Sequence, residues 1–153
     1  MKKEWTKQEI IANKGCYSIE EVEALSFINK DNITLLDILN SEISIKDKRW
    51  FLFNRCELTL DNKKELALKM AWCVLPIYET KYPNDSSVRE CLQAIEDFNS
   101  GKITIEILKE KRAAAYADAA YAAAAYAAYA AADADLSYKD KLVTILIDFV
   151  NNN

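Results

Sequence analysis

Two glycines and two prolines are all the backbone punctuation in this chain of 153 residues. A sheet protein of that length needs many tight turns, which draw on Gly for positive φ and on Pro for a preset φ. Long helices joined by Asn, Asp and Ser do not. With 51% of its residues apolar, the chain can bury a core without metals or staples. The expectation is an all-α fold, a single-domain bundle of about seven or eight helices. Short amino-terminal helices are expected over residues 1–60 and a long-helix bundle over 61–150, including an alanine-rich helix over 105–135.

The helix starts are marked by a Ser or Thr with an acidic residue three places on, a pair whose side chains satisfy the free amides of a first turn. Thr6 with Glu9 opens a first short helix that Gly15 ends, and Ser18 with Glu21 opens a second running to about Ile28. Thr34 with Asp37 opens a third, and Ser44 with Asp47 a fourth that carries Trp50, Phe51 and Phe53. A fifth, from about Asp61 to Lys81, is apolar on nearly every face and is expected to be central. Pro76 lies inside it and cannot donate to the carbonyl of Trp72, so it either kinks the helix or ends it at Leu75. Tyr82, Pro83, Asn84 and Asp85 form a turn. Ser87 with Glu90 opens a sixth helix with the stripe Val88, Cys91, Leu92, Ile95 and Phe98, stopped by Gly101. Thr104 begins a seventh, and Ser137 with Asp140 caps the last, which buries Leu142, Val143, Ile145, Leu146, Phe149 and Val150 before a frayed tail at Asn151 to Asn153.

Residues 113–132 comprise fifteen alanines, four tyrosines and one aspartate. Alanine is the best helix former, so this segment needs little help from packing to be helical. Tyr116, Tyr121, Tyr126 and Tyr129 do not form one stripe: at about 100 degrees per residue they point near ~0, ~140, ~280 and ~220 degrees. Two readings stay open. The helix is close-packed core with tyrosines filling gaps, or it is a partner surface made by Tyr116, Asp118, Tyr121, Tyr126 and Tyr129 with Asp133 and Asp135 beyond. A membrane span is disfavoured, because alanine is barely apolar and Asp118 interrupts the run. An ice-binding surface lacks regularly spaced threonines. Asp133 and Asp135 stand where negative charge opposes the helix dipole.

The search for chemistry finds little. There is no histidine, which removes the commonest general base and most transition-metal sites. Two glycines cannot build a phosphate-binding loop or a nucleophile elbow. Cys16, Cys56, Cys73 and Cys91 are widely spaced, with no CxxC, so neither a metal site nor any other cofactor is expected. Glu79, Asp85, Glu96 and Asp97 are candidate paired carboxylates, but Glu79 or Glu90 is expected to answer Arg89 instead. The net charge of −4 is mild. The lysine clusters at Lys2, Lys3 and Lys7, at Lys46, Lys48 and Arg49, and at Lys109, Lys111 and Arg112 each have acids beside them, so they read as solvated faces rather than a nucleic-acid footprint. Met1 to Glu9 is polar and charged, unlike an export signal, which with free thiols points to the cytoplasm. The chain is expected not to be an enzyme.

One stretch carries a resemblance. Residues 75–103 read LPIYETKYPNDSSVRECLQAIEDFNSGKI, and residues 111–135 read KRAAAYADAAYAAAAYAAYAAADAD. Glu79, Tyr82, Pro83, Asp85, Arg89, Ala94, Ile95, Glu96, Gly101 and Lys102 follow a pattern of an acidic helix end, a YP-x-D turn, an AIE-type centre and a GK-type stop. In this the chain resembles the alanine-rich putative immunity proteins of bacterial toxin systems and their phage- and prophage-encoded relatives. It departs in carrying tyrosines where histidines are often found. The resemblance implies a non-catalytic protein-binding factor that neutralises or inhibits a partner protein, a toxin or a host-defence protein, in immunity or phage anti-defence. Two other readings stay beside it: a regulator that binds or mimics nucleic acid, and a self-assembling component whose alanine helix pairs with its own copy. The Tyr82–Pro83 turn also reads as a wedge between helices, with Asp85 and Arg89 bonded locally.

Overall fold

The computed structural model describes residues 1–15, 17–117 and 136–153, without the side chains of residues 116, 117 and 136. The fold is all-α, as composition predicts, with eight helices among the described residues: α1 (Lys7–Ala12), α2 (Ile19–Glu23), α3 (Leu35–Asn40), α4 (Ile45–Arg55), α5 (Leu60–Lys81), α6 (Ser87–Asn99), α7 (Ile105–Ala117) and α8 (Leu136–Asn152). One feature was not foreseen. β1 (Glu4–Trp5) and β2 (Ile33–Thr34) pair antiparallel, Glu4 opposite Thr34 and Trp5 opposite Ile33. The described chain divides into two compact units, Met1–Leu66 with Leu142–Asn153, and Ala67–Lys141.

In the first unit the caps work as their spacing implies. Thr6, Ser18 and Thr34 each accept from the amide three residues on, and Glu9, Glu21 and Asp37 each accept from the cap's own amide. Ser44 accepts from the amide of Asp47. α2 stops at Glu23, short of the expected Ile28. Beyond it the amides of Leu25 and Ile28 donate to carbonyls only three residues back, and these tight turns carry Phe27 and Ile28 into the core. Trp5 meets Phe51 edge-on, with ring centroids 4.9 Å apart. Leu35, Leu39, Leu52, Cys56, Leu142 and Leu146 are fully buried in this unit.

Several surface expectations are corrected here. Lys48 is buried at 4% exposure rather than solvated. The amino-terminal cluster does meet the expectation: Lys3 stays exposed while donating to the carbonyl of Val150 at 3.2 Å, and Lys2 pairs with the acid Glu9 at 2.6 Å. Ser137 lies inside α8, which is already helical at Leu136, so it is not the cap. The asparagine tail is not frayed: α8 runs to Asn152, and the Asn153 amide donates to the carbonyl of Phe149 and accepts from Asn62. Both glycines take the left-handed conformation that favours them, Gly15 at φ +64 after α1 and Gly101 at φ +74 after α6. After α4 no glycine is available, and Glu57 takes φ 52 instead.

In the second unit α5 continues through Pro76 as one helix to Lys81, which removes the reading that ended it at Leu75. Pro76 sits on the exposed side, where its missing N–H leaves a gap in the ladder at the surface. Leu75, Tyr78, Val88 and Leu92 form the buried centre, with Leu68, Ala71, Trp72, Tyr82 and Ile95 packed around it. The α6 stripe differs from expectation at its carboxyl end, where Ala94 is buried and Phe98 is 37% exposed.

Candidate functional site

The residues that carry the family-like pattern converge at the α5–α6 turn. The Asp85 amide donates to the carbonyl of Tyr82 at 3.1 Å, closing the turn. One Asp85 carboxylate oxygen accepts from the Ser87 amide at 2.8 Å, and the other accepts from the Tyr78 hydroxyl on the last turns of α5. Asp85 therefore caps α6. The expected cap pair is displaced by one residue: Ser86 is the N-cap without a side-chain cap bond, Ser87 is the first helical residue, and the Ser86 hydroxyl donates to Glu90 at 2.7 Å. The Tyr82 ring lies 4.9 Å from that of Tyr78. Pro83 is exposed, so the wedge of the turn is Tyr82 alone.

Arg89 ties α6 to α5. Its Nε donates to Glu79 Oε1 at 2.6 Å and its Nη2 to Oε2 at 2.8 Å, a two-pronged grip that only a guanidinium can make. The guanidinium carbon also stands 5.6 Å from the centre of the Trp72 ring. From the next residue of α6, Glu90 pairs with Lys111 of α7 at 2.8 Å. Each pairing shifts its members in the sense expected. The Arg89 hydrogen bond holds Glu79 below the ordinary carboxylate range, and the same bond raises Arg89. Hydrogen bonds from Ser87, then Tyr78, lower Asp85, and Lys111 followed by Ser86 lowers Glu90.

These directions bear on chemistry. A carboxyl serving as general acid near neutral pH needs its pKa raised, whereas Glu79, Asp85 and Glu90 are held ionised. Among the described residues no group of three or more His, Cys, Asp or Glu side chains stands ready for a metal ion. Burial raises the thiols of Cys73 and Cys91, away from nucleophilic character. The arrangement joins α6 to α5 through Arg89–Glu79 and to α7 through Lys111–Glu90, both partly exposed ion pairs.

From these pairs α7 leads into the alanine and tyrosine run. Tyr116 is in the last turn of α7, with its side chain outside the described residues. Asp118, Tyr121, Tyr126, Tyr129, Asp133 and Asp135 lie outside the described residues altogether, as does Cys16. Glu79 and Arg89 come together as foreseen, while Glu96 and Asp97 take no part in their grip. Trp72 and Lys111 were missed. A signal for Trp72 exists, since it precedes Glu79 by seven residues, two helical turns on one face. The Lys111–Glu90 pair spans twenty-one residues across a loop and carries no such signal.

A family model described as Imm-5 like putative immunity protein matches residues 58–141, which is 84 of the 153 residues. The chain belongs to this family. Its role is accordingly of the immunity type in general. The matched segment includes the whole of α5, α6 and α7 and the alanine run, and it excludes α1 to α4. No curated protein and no solved structure is significantly similar to the chain. No helix among the described residues is long and apolar enough to cross a membrane.

Proposed function

We propose that this protein is a non-catalytic binding factor that neutralises a partner protein, a bacterial toxin in the immunity setting, by covering the partner's working surface. The supporting observation is the pairing itself. Within the family-matched segment, ion pairs join α6 to α5 and α7, which supports a mount for a contact surface, and the carboxylates there are held ionised, which does not suit a general acid. The residues proposed to contact the partner are Tyr116 at the end of α7 and, beyond it in sequence, Asp118, Tyr121, Tyr126, Tyr129, Asp133 and Asp135. Tyrosines give large, stiff contact area at low entropic cost, and acids beside them favour a basic partner. The protein acts in the cytoplasm, where its thiols stay reduced. Encoded by a phage, the same kind of surface would serve anti-defence by blocking a host protein.

The test is capture from host lysate by the wild type and by a variant carrying Tyr121→Ala and Tyr126→Ala, with folding checked by circular dichroism. Capture of one protein, lost in the folded variant, together with growth arrest by that protein alone and recovery on co-expression, is the expected result. A captured protein that is harmless alone, or capture that persists in the folded variant, overturns the neutralising role or the assigned surface respectively.

A further inference from the structure

The first unit contains a cavity of about 450 Å³ lined by residues between Ile10 and Asn54, outside the family-matched segment. That volume lies within the range of small-molecule sites, roughly 300–1,000 Å³. Ile10, Phe27, Ile38 and Phe51, each at most 7% exposed, make its apolar floor. Leu25, Ile43 and Phe53 are half-buried in its wall, which meets solvent at Trp50, 37% exposed. The indole has fixed neighbours: a Cβ on Gly15 would meet its ring at 3.9 Å, and the Arg55 guanidinium stands 5.0 Å from its centre.

The polar side chains among the described lining residues are already answered. The Asn13 amide donates to the Glu9 carbonyl at 2.7 Å, and the Asn54 amide to the Trp50 carbonyl at 2.7 Å. Lys14 donates to the carbonyl of Tyr17 at 2.6 Å. Asp47 accepts from the Tyr17 hydroxyl at 2.7 Å and from Ser44 Oγ at 2.5 Å. Arg49 is likewise partnered, and Lys46 is exposed, with water for its charge. A charged guest would give up its own water for a wall whose polar groups are taken, which costs free energy. A neutral apolar guest avoids that cost and gains from burial. Shape narrows the class further. Tyr17, Phe27, Trp50, Phe51 and Phe53 contribute rings to the wall, and ring faces and edges favour an aromatic guest. An apolar cavity of ~150 Å³ takes one benzene, so this one has room for about two or three fused rings.

We propose that this cavity binds a neutral fused-ring aromatic molecule, of naphthalene to phenanthrene size, against Phe27, Phe53 and Trp50. This site is independent of the partner surface proposed above.

Naphthalene titrated into the full chain tests it, followed by amide and indole chemical shifts. The expected result is saturable binding of one naphthalene, with shifts concentrated at Leu25, Ile43 and the Trp50 indole. Naphthoate and naphthylmethylammonium carry the same rings with a charge of either sign. Each should bind about tenfold more weakly than naphthalene, or worse, because a charge would lose water without gaining a partner. Trp50→Ala, at a partly exposed position, should weaken naphthalene binding about tenfold, the scale of one lost aromatic contact with its buried area. Leu25→Trp, which fills the cavity, should abolish binding while circular dichroism stays helical. If that variant unfolds, Trp50→Ala and the charged analogues decide alone. Absence of saturable binding, shifts centred elsewhere, a charged analogue that binds as well as naphthalene, or binding unchanged in Trp50→Ala would overturn the proposal.

Discussion

Arg89 reaches back ten residues to hold both carboxylate oxygens of Glu79, at 2.6 and 2.8 Å, while its guanidinium covers the Trp72 ring. One side chain thus joins a helix to the one before it through charge, direction and stacking at once. Arg89→Lys keeps the charge but loses the fork and the flat face. It should lower the urea midpoint of unfolding measurably, and combining it with Glu79→Gln should lower it by less than the sum of the two. A strictly additive double mutant would show that the pair contributes no coupling.

Asp85 predicts the pH response. Its folded pKa lies below the usual 3.8 because Ser87 and Tyr78 hydrogen-bond the ionised form. A lowered folded value means stability that is present in full above the unfolded pKa and is lost as pH falls through the folded one. Glu79 and Glu90, lowered from 4.5, act in the same sense. Unfolding midpoints should therefore be level near neutrality and fall as pH drops below about 4.5. Asp85→Asn, which keeps a capping oxygen without the charge, should be less stable than wild type at pH 7 and converge with it in acid. A gap that is constant with pH would contradict this.

Leu92 is 5% exposed at the centre of the second unit, with Leu75, Tyr78 and Val88 around it. Leu92→Ala removes those contacts and leaves a void, at a cost of ~2–5 kcal/mol in urea unfolding. A loss below ~1 kcal/mol would mean that the site collapses or is less enclosed than described.

Pro76 offers the opposite sign. It sits on the exposed side of a helix that continues past it, so Pro76→Ala restores a donor to the Trp72 carbonyl without disturbing the core. Stability should rise, by up to ~3 kcal/mol, read from the thermal midpoint and urea curves. A fall would show that α6 is placed by a bend that proline imposes.

Cys56 is wholly buried, and burial pushes its thiol up to about 12. At pH 8 it should resist alkylation in the native protein and react once urea unfolds the chain, as followed by peptide mass spectrometry. Labelling at a native rate equal to the unfolded rate would place Cys56 at the surface.

What the chain spelled out on its own was local. Thr6–Glu9, Ser18–Glu21, Thr34–Asp37 and Ser44–Asp47 mark their helix starts because a cap and its answering group are three residues apart, within one turn, whereas the same spacing at Ser87–Glu90 and Ser137–Asp140 falls inside the helix. The scarcity of glycine and proline likewise decided helix over sheet, and Glu79 with Arg89 was legible because an acid at one helix end and a base near the start of the next face a short turn. The pairing of Glu4–Trp5 with Ile33–Thr34, the burial of Lys48, the exposure of Phe98, the reach of Lys111 to Glu90 and the cavity beneath Trp50 were not legible. Each depends on which distant segment arrives alongside, and a residue's own neighbours in sequence exert no force that selects it. Only the packed tertiary structure settles those, because burial and long-range pairing are properties of the surfaces brought together and not of the letters that carry them.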